Sequence, residues 1–183
     1  MLMKLVLILI IAFAIFIDDS KGNIQRNYSN ILKKNIYDTP KPIGYGKFYD
    51  SSAKEVYLKD FKDKFIILAF TADWCIECST QTISLDKLKK NLNRLKIEDL
   101  EIITIYDNSA NYEIIRNFYQ KLNLNDLKIF YDPNNNLMQE FGVNSPPAVF
   151  FIDKKGQIIA KYINIYNWDS KEIMDFILQL KNQ

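Results

Sequence analysis

Phe65-Ile66-Ile67-Leu68-Ala69-Phe70 carries no polar side chain, and only four residues separate it from Cys75-Ile76-Glu77-Cys78. A short, continuously apolar run reads as a strand buried on both faces. From Cys75 to about Leu95, Leu85, Leu88, Leu92 and Leu95 recur at helical spacing. Together they predict a strand, a short loop and a helix, with the first sulfur at the helix N-terminus. Unpaired N–H groups and the helix dipole favour a thiolate there, so the pair reads as a redox dithiol.

The chain has two cysteines and no histidine. No Ser-His or Cys-His nucleophile pair can form, and no zinc site that relies on imidazole. A C-x-x-C zinc half-site needs a second pair of soft ligands, which the cysteine count rules out. No metal and no cofactor is therefore expected. Two buried, inert cysteines are the plain alternative to a dithiol. A permanent structural disulfide is another, but a loop of two intervening residues adds little closure entropy.

The chain's 183 residues, 48% of them hydrophobic and 14% aromatic, suffice for one core with an appendage. A net charge of +2 argues against nucleic-acid binding. Lys87, Lys89, Lys90, Arg94 and Lys96 alternate with the leucines and read as the solvated face of one helix. Residues 1–17 are apolar apart from Lys4, with Asp18-Asp19 following. This is a membrane anchor or a signal segment, and either implies export with the domain on the outside. Ala12-Phe13-Ala14 is a poor cleavage site because Ile15-Phe16-Ile17 prolongs the apolar run, which favours an uncleaved anchor. Residues 18–42 are polar, end in Pro40-Lys41-Pro42 and read as a tether, leaving 43–183 as the globular domain.

Within that domain, Gly46–Tyr49 and Glu55–Leu58 predict a hairpin, Leu100–Ile105 a second buried strand and Asn111–Leu122 a helix. Leu127–Tyr131 predicts a short strand, followed by the turn Asp132-Pro133-Asn134 and a brief helix near Leu137–Phe141. Ala148–Ile152 and Gln157–Tyr162 predict an antiparallel hairpin with Gly156 at a positive φ. A final helix presents Ile173, Phe176, Ile177 and Leu180, with Asp169 as its expected N-cap and Glu172 completing a capping box. The order of elements implies an α/β sandwich around a mixed sheet.

Phe70-Thr71-Ala72-Asp73-Trp74-Cys75-Ile76-Glu77-Cys78, taken with Gly142 to Gly156, resembles the thioredoxin superfamily, and within it the membrane-tethered TlpA/ResA-like branch. The resemblance runs from about Ile43 to the C-terminus. It implies a three-layer thioredoxin-like sandwich with an N-terminal hairpin and an inserted helix-strand unit. It also implies an extracytoplasmic thiol-disulfide oxidoreductase, usually a reductant in cytochrome c or cytochrome oxidase maturation. Expected partners are protein substrates with disulfides and a membrane electron donor, and the domain is expected to be a monomer. By the same resemblance Cys75 matches the exposed nucleophile and Cys78 the buried resolving thiol, the two forming a redox-active disulfide. Pro147 matches the cis-proline, six residues before Asp153 as in the family's P-x-x-F-x-I-D pattern. Trp74 matches the aromatic before the cysteines, and Trp74, Pro146 and Pro147 are the implied substrate-binding residues.

Two departures stand out. Many relatives place a carboxylate beneath the cysteines at positions that are Ala69, Gln81 and Thr82 here, which puts the usual deprotonation route of the resolving thiol in doubt. Glu77 could substitute, although an exposed turn acid is the simpler reading. The second departure is Pro146, which has no N–H to offer a bound substrate strand. Other functions on this fold fit less well. A Cu(I) metallochaperone lacks a histidine ligand. A non-catalytic binding module leaves the C-x-x-C without a reason. A peroxidatic Pro-x-x-x-Thr-x-x-Cys pattern would need proline at Leu68 and threonine at Ala72.

Overall fold

The apolar run becomes strand β4 (Phe65–Thr71), in which every residue is buried. The computed structural model describes residues 32–107, 111–163 and 167–182. The proposed anchor or signal segment over 1–17, and the tether as far as residue 31, lie outside the described residues. Among the described residues, no helix is long and apolar enough to cross a membrane. Residues Asn35–Gln183 form one compact unit.

In chain order this unit contains strands β1 (Ile36–Pro42), β2 (Lys47–Asp50), β3 (Glu55–Tyr57), β4, β5 (Leu100–Tyr106), β6 (Phe130–Tyr131), β7 (Ala148–Ile152) and β8 (Gln157–Tyr162). Its helices are α1 (Ile76–Arg94), α2 (Tyr112–Leu122), α3 (Asn136–Glu140) and α4 (Lys171–Lys181). The sheet order is β1-β8-β7-β4-β5-β6-β2-β3. β4 runs parallel to β5 and antiparallel to β7, so the sheet is mixed and β4 lies inside it.

Alternation along the strands sorts side chains onto two faces. Ile66, Leu68 and Phe70 join Ile103, Ile105, Phe150 and Ile152 in a core closed by Leu137, Met138 and Phe141 of α3 and its flank, with Phe48 and Leu58. The opposite face meets the other helices. Thr71 lies 3.3 Å from Thr82 of α1, Thr104 pairs with Tyr119 of α2, and Phe151 packs on Trp168 just before α4. The result is the expected three-layer sandwich.

Three details differ from the sequence reading. Residues 36–42, expected to belong to the tether, form an edge strand against β8, with an irregular register between Ile36 and Lys41. Pro40 and Pro42 are tolerated there because an edge strand pairs on one side only. The strand expected over Leu127–Tyr131 shortens to Phe130–Tyr131 because the buried Asp86 carboxylate accepts the N–H groups of Asp126 and Leu127 and holds them off the ladder. The last helix is capped by Ser170, whose hydroxyl accepts from Ile173 N, and not by Asp169. Asp169 instead accepts from Ser84 Oγ at 2.9 Å, tying α4's approach to α1.

The β7–β8 hairpin turns through Gly156 at φ +76°, with the Asp153 carboxylate accepting from Lys155 N and Gln157 N. At the start of β5, Asp99 takes Lys154 from this hairpin and Lys181 from α4. Those two ammonium groups hold its carboxyl down at about 2.

Candidate active site

β4 delivers the chain into Ala72-Asp73-Trp74 and then into Cys75, whose extended backbone (φ −95°, ψ 114°) makes it the N-cap of α1. Its Sγ accepts the N–H of Cys78 at 3.1 Å, satisfying one of the N–H groups that a helix start leaves free. Sequence and fold thus agree on the position that favours a thiolate. The two sulfurs are joined as a disulfide, with Cα atoms 5.1 Å apart. Cys78 is 0% exposed and Cys75 5%. Cys75 is therefore less open than the description "exposed nucleophile" implies, yet it is the residue of the pair that keeps some exposure.

Around the disulfide the sheet brings a second element to the same edge. Phe70 of β4 sits opposite Ala148 of β7, so the loop carrying Cys75 and the segment Ser145-Pro146-Pro147 leave the sheet at one end. The Pro146–Pro147 peptide bond is cis, as the P-x-x-F-x-I-D pattern implies. Trp74 is 59% exposed and Ile76 81%, so both present apolar surface beside the disulfide. Glu77 is exposed, with Oε2 4.0 Å from Cys75 Sγ. It is an outward turn acid and does not occupy the interior beneath the cysteines.

At the positions where many relatives carry a carboxylate, this chain has none. Ala69, Gln81 and Thr82 are all buried. Thr82 Oγ1 donates to Cys78 O at 2.8 Å and lies 3.3 Å from Thr71 Oγ1. Tyr106, paired with Thr71 across the β4–β5 ladder, is also fully buried, and desolvation pushes its phenol pKa well up. Sequence reasoning missed Tyr106, because at the end of a buried strand run a tyrosine looks like one more core aromatic. The signal was its position level with Thr71, which only the parallel register reveals.

The family model described as AhpC/TSA matches residues 46–161, which takes in the hairpin, the disulfide and the cis-proline segment. The chain belongs to the AhpC/TSA family. This family member is 29% identical over 112 residues to the thiol-disulfide oxidoreductase ResA of Bacillus thuringiensis subsp. konkukian, covering 61% of this chain and 62% of ResA. The chain thus spans about three-fifths of that relative's length. Among solved structures, it resembles the pneumococcal exposed lipoprotein thioredoxin Etrx1 of Streptococcus pneumoniae (TM-score 0.59, 25% identity, 74% of this chain and 96% of Etrx1). It also resembles a secreted thiol-disulfide isomerase of Corynebacterium glutamicum (TM-score 0.66, 17% identity, 81% and 91%). The thioredoxin-like fold of this AhpC/TSA member is thereby established.

Proposed function

We propose that this protein is an extracytoplasmic thiol-disulfide oxidoreductase that reduces disulfides in other proteins through Cys75 and Cys78. One observation carries the reading: the first cysteine of the pair is the N-cap of a helix and keeps some exposure, while the second is sealed one turn in. In the reduced protein the Cys75 thiolate attacks a substrate disulfide, forming a mixed disulfide and releasing one substrate sulfur as a thiolate. Cys78 then attacks Cys75 Sγ, the bond to the substrate breaks, and the second substrate thiol leaves. The substrate gains two electrons and the protein returns to the disulfide form. An electron donor of dithiol chemistry closes the cycle, and in this reading it is a membrane protein.

Trp74, Pro146 and Pro147 form the docking rim for a substrate segment. Pro146 supplies a carbonyl but no N–H, so binding leans on apolar contact with the exposed indole and with Ile76. The names of ResA, Etrx1 and the secreted isomerase support a dithiol-exchange activity, and the last two support export. The apolar segment 1–17 supports membrane attachment. Cysteines of cytochrome c or cytochrome oxidase maturation are the substrates that the ResA-like resemblance implies. Peroxide reduction fits less well, because Leu68 and Ala72 stand where the peroxidatic pattern needs proline and threonine.

The test is turnover: with a small dithiol as donor, the protein should accelerate the reduction of insulin's interchain disulfides well above the donor alone. A rate equal to the donor's own would remove the activity from the reading.

A further inference from the structure

When an incoming thiolate attacks Cys75 Sγ, a new S–S bond forms there, the bond to Cys78 breaks, and Cys78 leaves with the electron pair as a thiolate. Cys78 is completely buried, and an anion in such a place is costly unless a group donates to it. Charge does not supply that help. The segments meeting at this end of the sheet, 71–86, 104–107 and 143–149, contain no lysine or arginine. The titratable groups they bring are the acids Asp73, Glu77, Asp86 and Asp107 and the phenol of Tyr106, with Tyr119 behind it on α2.

A neutral donor lies nearby on the same helix. Gln81 stands three residues after Cys78 on α1, and residues so spaced share a helix face with Cβ atoms about 5–6 Å apart. Its side chain is buried, 2% exposed, and its Nε2 has no hydrogen-bond partner. The other helical neighbour of Cys78, Thr82, already spends its hydroxyl on Cys78 O and Thr71. A buried amide N–H without an acceptor destabilises the fold. Its presence one turn from a sulfur that alternates between a disulfide and an anion is explained if it is used in the open state.

We propose that Gln81 donates its side-chain N–H to Cys78 Sγ whenever the disulfide is open, stabilising Cys78 both as leaving group and as attacking thiolate. The inference rests on the reading of the pair as redox-active. Gln81 keeps its hydrogens throughout. The proton that Cys78 carries as a thiol goes to solvent, and the departing substrate thiolate takes one up. Because an amide does not titrate, the assistance is the same at all pH values at which the fold is intact.

The experiment uses the full chain with Cys75→Ser, so that one thiol remains, and follows Cys78 through its 13C-labelled β-carbon as pH is varied. Gln81→Leu should move the midpoint upward by at least about one pH unit, a tenfold loss of thiolate at fixed pH. Gln81→Glu, nearly the same shape, should move it further and add a second, acidic limb. It carries the test by itself if the leucine variant does not fold. An unchanged midpoint in either folded variant overturns the proposal. The titration needs no turnover: inactive protein with the shift present defeats the functional reading alone, while active protein without it defeats this inference alone.

Discussion

Replacing Cys75 by serine should abolish disulfide exchange, whereas replacing Cys78 by serine should halt it one step later, with the protein held to its substrate as a mixed disulfide. The asymmetry follows from the fold. Cys75 ends an extended loop as the N-cap of α1 and retains 5% exposure, while Cys78 faces Ala72 in the interior with none. Under the proposed function Cys75, the cysteine that keeps some exposure, meets the external sulfur, and the sealed Cys78 resolves the product. Both variants should lose at least roughly a thousandfold in turnover, as removal of a nucleophile does elsewhere. They separate on non-reducing gels, where Cys78→Ser accumulates covalent complexes that a reductant releases and Cys75→Ser does not. Equal trapping by both variants would contradict the assignment of roles.

Phe151→Ala should come close to unfolding the domain. Phe151 is 0% exposed in β7, the strand that joins β4 to β8. Its ring centroid lies 4.8 Å from that of Tyr162, 5.4 Å from Phe65 and 5.9 Å from Trp168, so truncation leaves a cavity bounded by three other rings. Such truncations cost about 3–5 kcal/mol, against a total stability for a domain of this kind of about 5–15 kcal/mol. Urea titration followed by far-ultraviolet circular dichroism measures the loss. A midpoint shift equivalent to less than about 1 kcal/mol would mean that the cluster repacks and that this face is not the central support of the sheet.

Much of this arrangement was legible in the residues because it depends on local pattern. The all-apolar run read as an interior strand, and the leucine spacing after Cys75 as a helix packed along one face. The hairpin from Ala148 to Tyr162 was legible to the residue, because turn chemistry at Asp153 and Gly156 marks both strand ends. What escaped depended on partners distant in sequence. Asp86 and Leu127 are far apart along the chain, so nothing local told that a helix carboxylate would claim the N–H groups of an expected strand. Asp169 and Ser170 are equally good N-caps by type. The choice fell to Ser170 because Ser84, on another helix, engages Asp169. Residues 36–42 looked like linker because they are polar and proline-bearing, the same properties that suit an edge strand.

At the site, the Cys75–Cys78 pair was legible from its spacing after the buried strand, and the cis-proline only through the resemblance to the thioredoxin superfamily. The missing carboxylate was legible as well, from Ala69, Gln81 and Thr82. The hydroxyls and amide that fill the space were not. Tyr106 reaches it only through the parallel register that sets it beside Thr71, and Gln81 draws notice only once its buried, unpartnered Nε2 is seen.

The reduction potential of the Cys75–Cys78 pair in the full chain, equilibrated with glutathione across a range of ratios, decides whether this protein reduces disulfides or makes them. A dedicated oxidant owes its high potential to a very stable nucleophile thiolate. Here the helix start favours the Cys75 thiolate, but Glu77 Oε2 lies 4.0 Å from Cys75 Sγ and opposes it, and neither residue between the cysteines is a cation. The expected potential is near thioredoxin's, on the order of −250 mV. A value near the −120 mV or so of a strong oxidant, with reduced substrates oxidised faster than disulfides are reduced, would mean that this protein makes disulfides and does not reduce them.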